Sequence, residues 1–193
     1  MIVGDAFMSV GKKNLEILPP DWHDHLFKAS KFYLDSLYKL SDREAIIVGL
    51  AHIDSSMSES LKARLCKSGS IDKWLNDESF ELSFMFKAKM AHSVGIINEK
   101  TLNSCKVYDR IRNIFAHNAE CDTFTSKLIE KHIRRFLDLS GDFLKELETL
   151  TNADTPEEEL KRKFIMMLSM DIAVIENLAP IIKPIVPIIV DWA

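Results

Sequence analysis

The stretch IRNIFAHN, residues 111–118, gathers Arg112, Asn113 and His117 among apolar neighbours, the most compact cluster of reactive side chains in the sequence. A protonatable imidazole beside a fixed cation can donate a proton while the cation holds a phosphate, which is the chemistry of metal-independent RNA cleavage. On an α-helix Ile111 and Phe115 share one face while Asn113 and His117 share the opposite one, with Arg112 on the flank. Asp109, four residues before Asn113, joins the polar side. The same residues suit a second role. Arg, Asn and His at a helix end cap carbonyls and pair with nearby acids, here Asp109 or Asp122. The spacing alone leaves the catalytic and the bracing roles both open.

A second polar group, Lys131, His132, Arg134 and Arg135, forms a basic patch that can meet RNA or an acidic partner, or stand as a solvated face balanced by Glu130 and Asp138. Asp109, Arg112, Asn113, His117, Lys131, Arg134 and Arg135 are therefore the candidate partner-binding residues. His23 and His25 precede a helix without a third ligand at a recognisable spacing, so no metal is expected there. Neither serine near His52 sits in a Gly-x-Ser-x-Gly elbow. The chain lacks a phosphate-cradling glycine loop, which leaves nucleotide hydrolysis without support and no cofactor expected.

The elements that must position these residues read as helices. Between Pro20 and Pro156 there is no proline, and glycine occurs only at 49, 69, 95 and 141. Leu26, Tyr33, Leu37 and Leu40 return to one helical face. Ser41-Asp-Arg-Glu44 is a capping box opening a helix with Ile46, Leu50, Ile53, Met57, Leu61 and Leu65 as its apolar stripe. That helix is expected to stop near Gly69. Phe80, Leu82, Phe84 and Phe86 alternate like a strand, but the following KAKMA and the stop at Gly95 favour a helix. Asn98 is the N-cap of the helix carrying Leu102, Cys105, Tyr108, Ile111 and Phe115. A long helix follows with Ile129, Ile133, Phe136, Phe143, Leu147 and Leu150. Thr155-Pro156-Glu157-Glu158 supplies an N-cap, a proline at the first helical position and a capping-box acid for a last helix with Leu160, Phe164, Met167 and Leu178. The expected fold is all-α, one single-domain helical bundle of about five to six helices. Residues 1–20 form a lead-in, 21–155 the bundle core, and 156–193 the C-terminal helix and a proline-interrupted apolar tail.

The motifs also carry a resemblance. Arg112-Asn113-x-x-x-His117 matches the Arg-x4-His signature of HEPN domains, helical bundles that often dimerise and in some families cut RNA. More of the chain, from about Ser41 to Ile133, resembles the mannitol operon repressor (MltR-like) family. The pieces that carry it are FKAKMAHSVGIIN at 86–98 and LNSCKVYDRIRNIFAHN at 102–118. In that family a lysine-containing helix runs into a Gly-Ile-Ile turn, and the next helix ends in Arg-Asn-x-Phe-Ala-His. The resemblance implies a transcriptional regulator that acts through protein contacts without reading DNA directly. The same fold recruited as an antitoxin or immunity protein would bind a toxic nuclease. The HEPN motif implies a dimeric ribonuclease using Arg112, Asn113 and His117.

The bulk numbers narrow the partners. A net charge of −4 and a pI near 5.9 argue against broad charge-driven binding to nucleic acid. A protein partner and a homodimer are expected, with RNA as the second class of partner and no sequence-specific DNA binding. Cys66, Cys105 and Cys121 are odd in number and lack a Cys-x-x-Cys pair, which fits free thiols in a reducing, cytoplasmic compartment. The apolar run from Ile172 to Val190 is broken by Glu176, Lys183 and three prolines, so a membrane span is not expected.

Overall fold

The chain is all-helical. The computed structural model describes residues 21–65, 82–140 and 153–184, with backbone alone at 139 and 140. Among them run α1 (Trp22–Leu37), α2 (Asp42–Arg64), α3 (Phe84–Ser93), α4 (Glu99–His117), α5 (Lys127–Ser140), α6 (Pro156–Glu176) and a short 3-10 turn at Ala179–Ile181.

Local chemistry sets most of the boundaries. Ser41 closes a full capping box with Glu44 at the start of α2, and Asn98 accepts from the Thr101 amide at the start of α4. Gly95, at φ 74°, ends α3 in a left-handed residue that only glycine adopts without strain. Beside it the Ile96 amide bonds back to the Ala91 carbonyl at 2.8 Å and the Gly95 amide to His92 at 3.0 Å, a Schellman closure. At α6, Thr155 accepts from the Glu158 amide and Pro156 sits at the start. Glu158 does not complete a capping box, however. Its carboxylate accepts from the Asp154 amide at 3.2 Å and from the Tyr38 hydroxyl at 2.6 Å, so tertiary contact with Tyr38 draws the acid away from the cap residue.

Two further readings are corrected and one is upheld. α2 stops at Arg64, with Leu65 already extended, and Gly69 lies outside the described residues. The alternation through Phe84 and Phe86 is helical, and Phe86 is exposed. Leu178 is buried but lies past the end of α6, because Pro180 cannot donate to a continuing helix and the chain turns into the 3-10 segment. Phe80, Cys66, Phe143, Leu147, Leu150, the lead-in 1–20 and the tail beyond 184 also lie outside the described residues.

α6 is the centre of the bundle. It packs against α1, α2 and α5, and Phe164, Ile165, Leu168, Ile172 and Ile175 are fully buried. By length and composition Pro156–Ile181 would suffice to cross a membrane, but these apolar side chains face the other helices. α2 crosses α6 closely at Gly49, where an added Cβ would stand 2.6 Å from Leu168 Cδ2. Around α6, Tyr108, Phe124, Phe136 and Phe164 make edge-on ring contacts at 4.9–6.3 Å, with Phe115 joined through Phe124. This aromatic core ties α4, α5 and the loop between them to α6.

That loop is also held from α2. The Arg43 guanidinium donates to the carbonyls of Asn118 and Cys121 at 3.2 and 2.7 Å. Asp42 accepts from the Phe124 amide at 2.7 Å and pairs with Lys161 of α6 at 2.9 Å.

Candidate functional site

α4 presents its apolar stripe inward, with Cys105, Tyr108, Ile111 and Phe115 at zero exposure, and its polar stripe outward. The outer side of IRNIFAHN is a closed network within one helix. Asp109 Oδ1 accepts from Arg112 Nη2 at 2.6 Å, Asp109 Oδ2 accepts from Asn113 Nδ2 at 3.2 Å, and the same Arg112 nitrogen donates to Asn113 Oδ1 at 3.2 Å. Both carboxylate oxygens are thus engaged, and the guanidinium is partly neutralised by its own helix. His117 stands one turn further on and is exposed. It lines a shallow groove of about 560 Å³ with Asp109, Asn113, Met85 and Ile114 among its walls. The structure therefore brings Asp109, Arg112 and Asn113 together and leaves His117 beside them on an open surface. The helix end is capped by other residues: Asn118 Nδ2 donates to the Ile114 carbonyl at 2.9 Å, and Arg43 holds the carbonyls beyond.

The basic patch of α5 divides. Arg134 folds onto Glu130 at 2.7 Å, as a solvated face would, and Lys131 is exposed. His132 and Arg135 turn instead towards α4. There they line a second groove of about 530 Å³ with Lys100, Asn103, Lys106 and Arg110, floored by Val107 and Phe136. Burial lowers the His132 pKa, and the positive charges of Arg110, Lys131 and Arg135 lower it further. The two grooves share Lys106 and Arg110, so one basic strip runs along the outer face of α4. Lys100, Lys106 and Arg110 were not singled out in the sequence. The signal was present as a polar stripe at 100, 103, 106 and 110, but its meeting with α5 requires the packed fold.

Two polar sites between helices, the first half-buried and the second buried, were also not anticipated. Between α4 and α6, the Asp171 carboxylate accepts from the Tyr108 hydroxyl at 2.7 Å, with Ser104 in hydrogen-bonding reach. Desolvation raises its pKa to about 6, although these hydrogen bonds and Lys100 oppose the rise. The same burial, with Asp171 near, pushes the Cys105 thiol up and leaves it unreactive. Between α2 and α3, Lys87 is buried and donates to Asp54 Oδ2 at 2.7 Å. Among the described residues no cluster of His, Cys, Asp or Glu is arranged to hold a metal, and His25 is bonded to Asp21 at 2.8 Å.

No family model matches the chain, and no curated protein or solved structure matches it either.

Proposed function

We propose that this chain is a non-enzymatic binding module, a regulator or inhibitor that works through protein contacts, as the resemblance of residues 41–133 to mannitol operon repressor-like proteins implies. One observation carries the reading. Arg112 is closed on Asp109 and Asn113 while His117 stands apart on an open surface, so one chain presents no assembled pair of phosphate-holding cation and proton donor. The acidic net charge fits a protein partner better than a nucleic-acid one. An antitoxin or immunity role is the same physical activity directed at a toxic nuclease. A cytoplasmic homodimer is the form in which we expect the module to act.

The exposure of His117 and Asn113 on a single groove supports a second reading, a HEPN-type ribonuclease. It requires a second copy to bring another Arg112 and His117 to that groove. RNA cleavage by the purified protein, wild type beside His117→Ala and across several RNA substrates, separates the two. Intact RNA in the presence of folded wild-type protein upholds the binding module. Cleavage that disappears in the variant sinks it.

A further inference from the structure

Most of the large apolar side chains left exposed gather on one side of the bundle. Among the described residues these are Phe27, Phe32, Ile47, Val48, Phe86 and Leu128, and four of the six lie on or beside the outer face of α2. Ile47 and Val48 project from α2 itself, with the exposed Ala51 one turn on. On one flank Phe32 of α1 meets Tyr33 edge-on, and Tyr33 meets His52, one turn past Val48. On the other flank Lys87 of α3 donates to Asp54 at 2.7 Å, which seats the neighbouring Phe86 beside the same strip. A contiguous apolar strip left on a surface marks a docking site.

The described chain ends at the foot of the same helix. The 3-10 turn packs against α2, and Ile181 and Ile182 rest on the core. Arg64, the last residue of α2, donates from Nη1 to the Lys183 carbonyl at 2.9 Å and from Nε to the Val94 carbonyl, just past α3, at 3.2 Å. Pro184 therefore follows a point fixed at the C-terminal ends of both α2 and α3. Nine residues come after it, 185–193, of which Ile185, Val186, Ile188, Ile189, Val190 and Trp192 are large and apolar, and Asp191 is the one charged side chain.

We propose that residues 185–192 dock in cis on the outer face of α2, running back from the Arg64 anchor past Phe86 towards Ile47. Pro184 and Pro187 oppose a helix and favour an extended, polyproline-like path. At ~3.1 Å per residue on that path, nine residues cover about 28 Å. Ile47 lies 17 positions before Arg64 (64 − 47) in α2, about 26 Å away at ~1.5 Å per residue. The reach of the tail thus matches the length of the strip. Proline-containing apolar segments lie in grooves edged by aromatic rings, as Phe86 edges this one, and lose little further conformational entropy in doing so. A second copy of the chain fits less well, since a strip one helix wide is small beside the ~800 Å² that each partner buries in a stable pair. The proposal concerns the chain's own tail and does not rest on the protein-contact reading.

The test is paramagnetic relaxation in the full chain, with a nitroxide attached at Asp191→Cys in a Cys66→Ser background; Cys105 and Cys121 are buried. The amide signals of residues 47–51 and 86–89 should be lost in the presence of the nitroxide and return when it is reduced. An equal mixture of isotope-labelled chain without nitroxide and nitroxide-bearing chain without isotope should leave those signals intact. Ala51→Arg and Phe86→Glu, both at exposed positions, should each restore the signals in the nitroxide-bearing chain with an unchanged circular dichroism spectrum. Signals at 47–51 and 86–89 that survive the nitroxide overturn the proposal. So does a loss that persists in both variants, and so does a loss in the mixture, which would put the tail of a second copy on the strip.

Discussion

Replacing Asp171 by Asn removes one titrating group from the contact between α4 and α6 while keeping its shape. In the native chain the carboxylate accepts the 2.7 Å hydrogen bond from Tyr108, and desolvation raises its pKa from 3.8 to about 6. A carboxyl with a folded pKa above its unfolded one holds its proton more tightly when folded. Its contribution to stability is therefore fully present below the unfolded value and is lost as pH rises through the folded one. At ~1.4 kcal/mol for each pKa unit, the span from 3.8 to about 6 corresponds to about 3 kcal/mol. Glu44 and Glu158, which have lowered pKa values through hydrogen bonds to Ser41 and Tyr38, act in the opposite sense. The wild-type profile is thus a sum, and the difference from Asp171→Asn isolates one group. Urea unfolding of both proteins, from below pH 4 to above pH 6, should show the wild type losing about 3 kcal/mol relative to the variant across that window. A pH-independent difference would mean that Lys100 and the hydrogen bonds fully offset desolvation. A difference of opposite sign would mean that Lys100 and the hydrogen bonds outweigh desolvation. Either result refutes the reasoning.

Gly49→Ala places a methyl 2.6 Å from Leu168 Cδ2; the overpacking costs ~1–3 kcal/mol against ~1 kcal/mol gained in helix propensity, so the melting temperature should fall. The double variant with Leu168→Ala should lose less than the sum of the two single changes, read by urea unfolding. Arg43→Ala removes both hydrogen bonds to the Asn118 and Cys121 carbonyls, and we expect a loss of about 2 kcal/mol with faster amide exchange across residues 118–126.

The sequence was most legible where the chemistry is local. Ser41, Asn98 and Thr155 cap helices because their oxygens reach amides three residues on, and Gly95 stops α3 because a left-handed turn needs it. The inward stripe of α4 followed from the helical repeat, and so did the meeting of Asp109 with Arg112 three residues later. What failed were inferences in which distant partners intervene. Glu158 left its cap for Tyr38, which is 120 positions away in sequence. The bracing of the His117 helix end fell to Arg43, on another helix, and to Asn118, in place of Arg112, Asn113 and His117. The groove was invisible for a similar reason. Lys106 and Arg110 are ordinary helix-surface cations until α5 is laid against α4, and only then do they share a space with His132 and Arg135.

The clamp of α2 on the α4–α5 loop has a thermodynamic consequence for whatever the outer face of α4 receives. Asp42 and Arg43 fix that loop at Phe124, Asn118 and Cys121, and Asp42 is itself tied to α6 through Lys161. The angle and spacing of α4 and α5 are consequently determined on folding, before any ligand arrives. Ordering a loop residue costs ~1–2 kcal/mol of conformational entropy, and here folding has already met that cost. Association at this face should therefore carry a small entropic penalty, and loosening the clamp through Arg43 should weaken binding there.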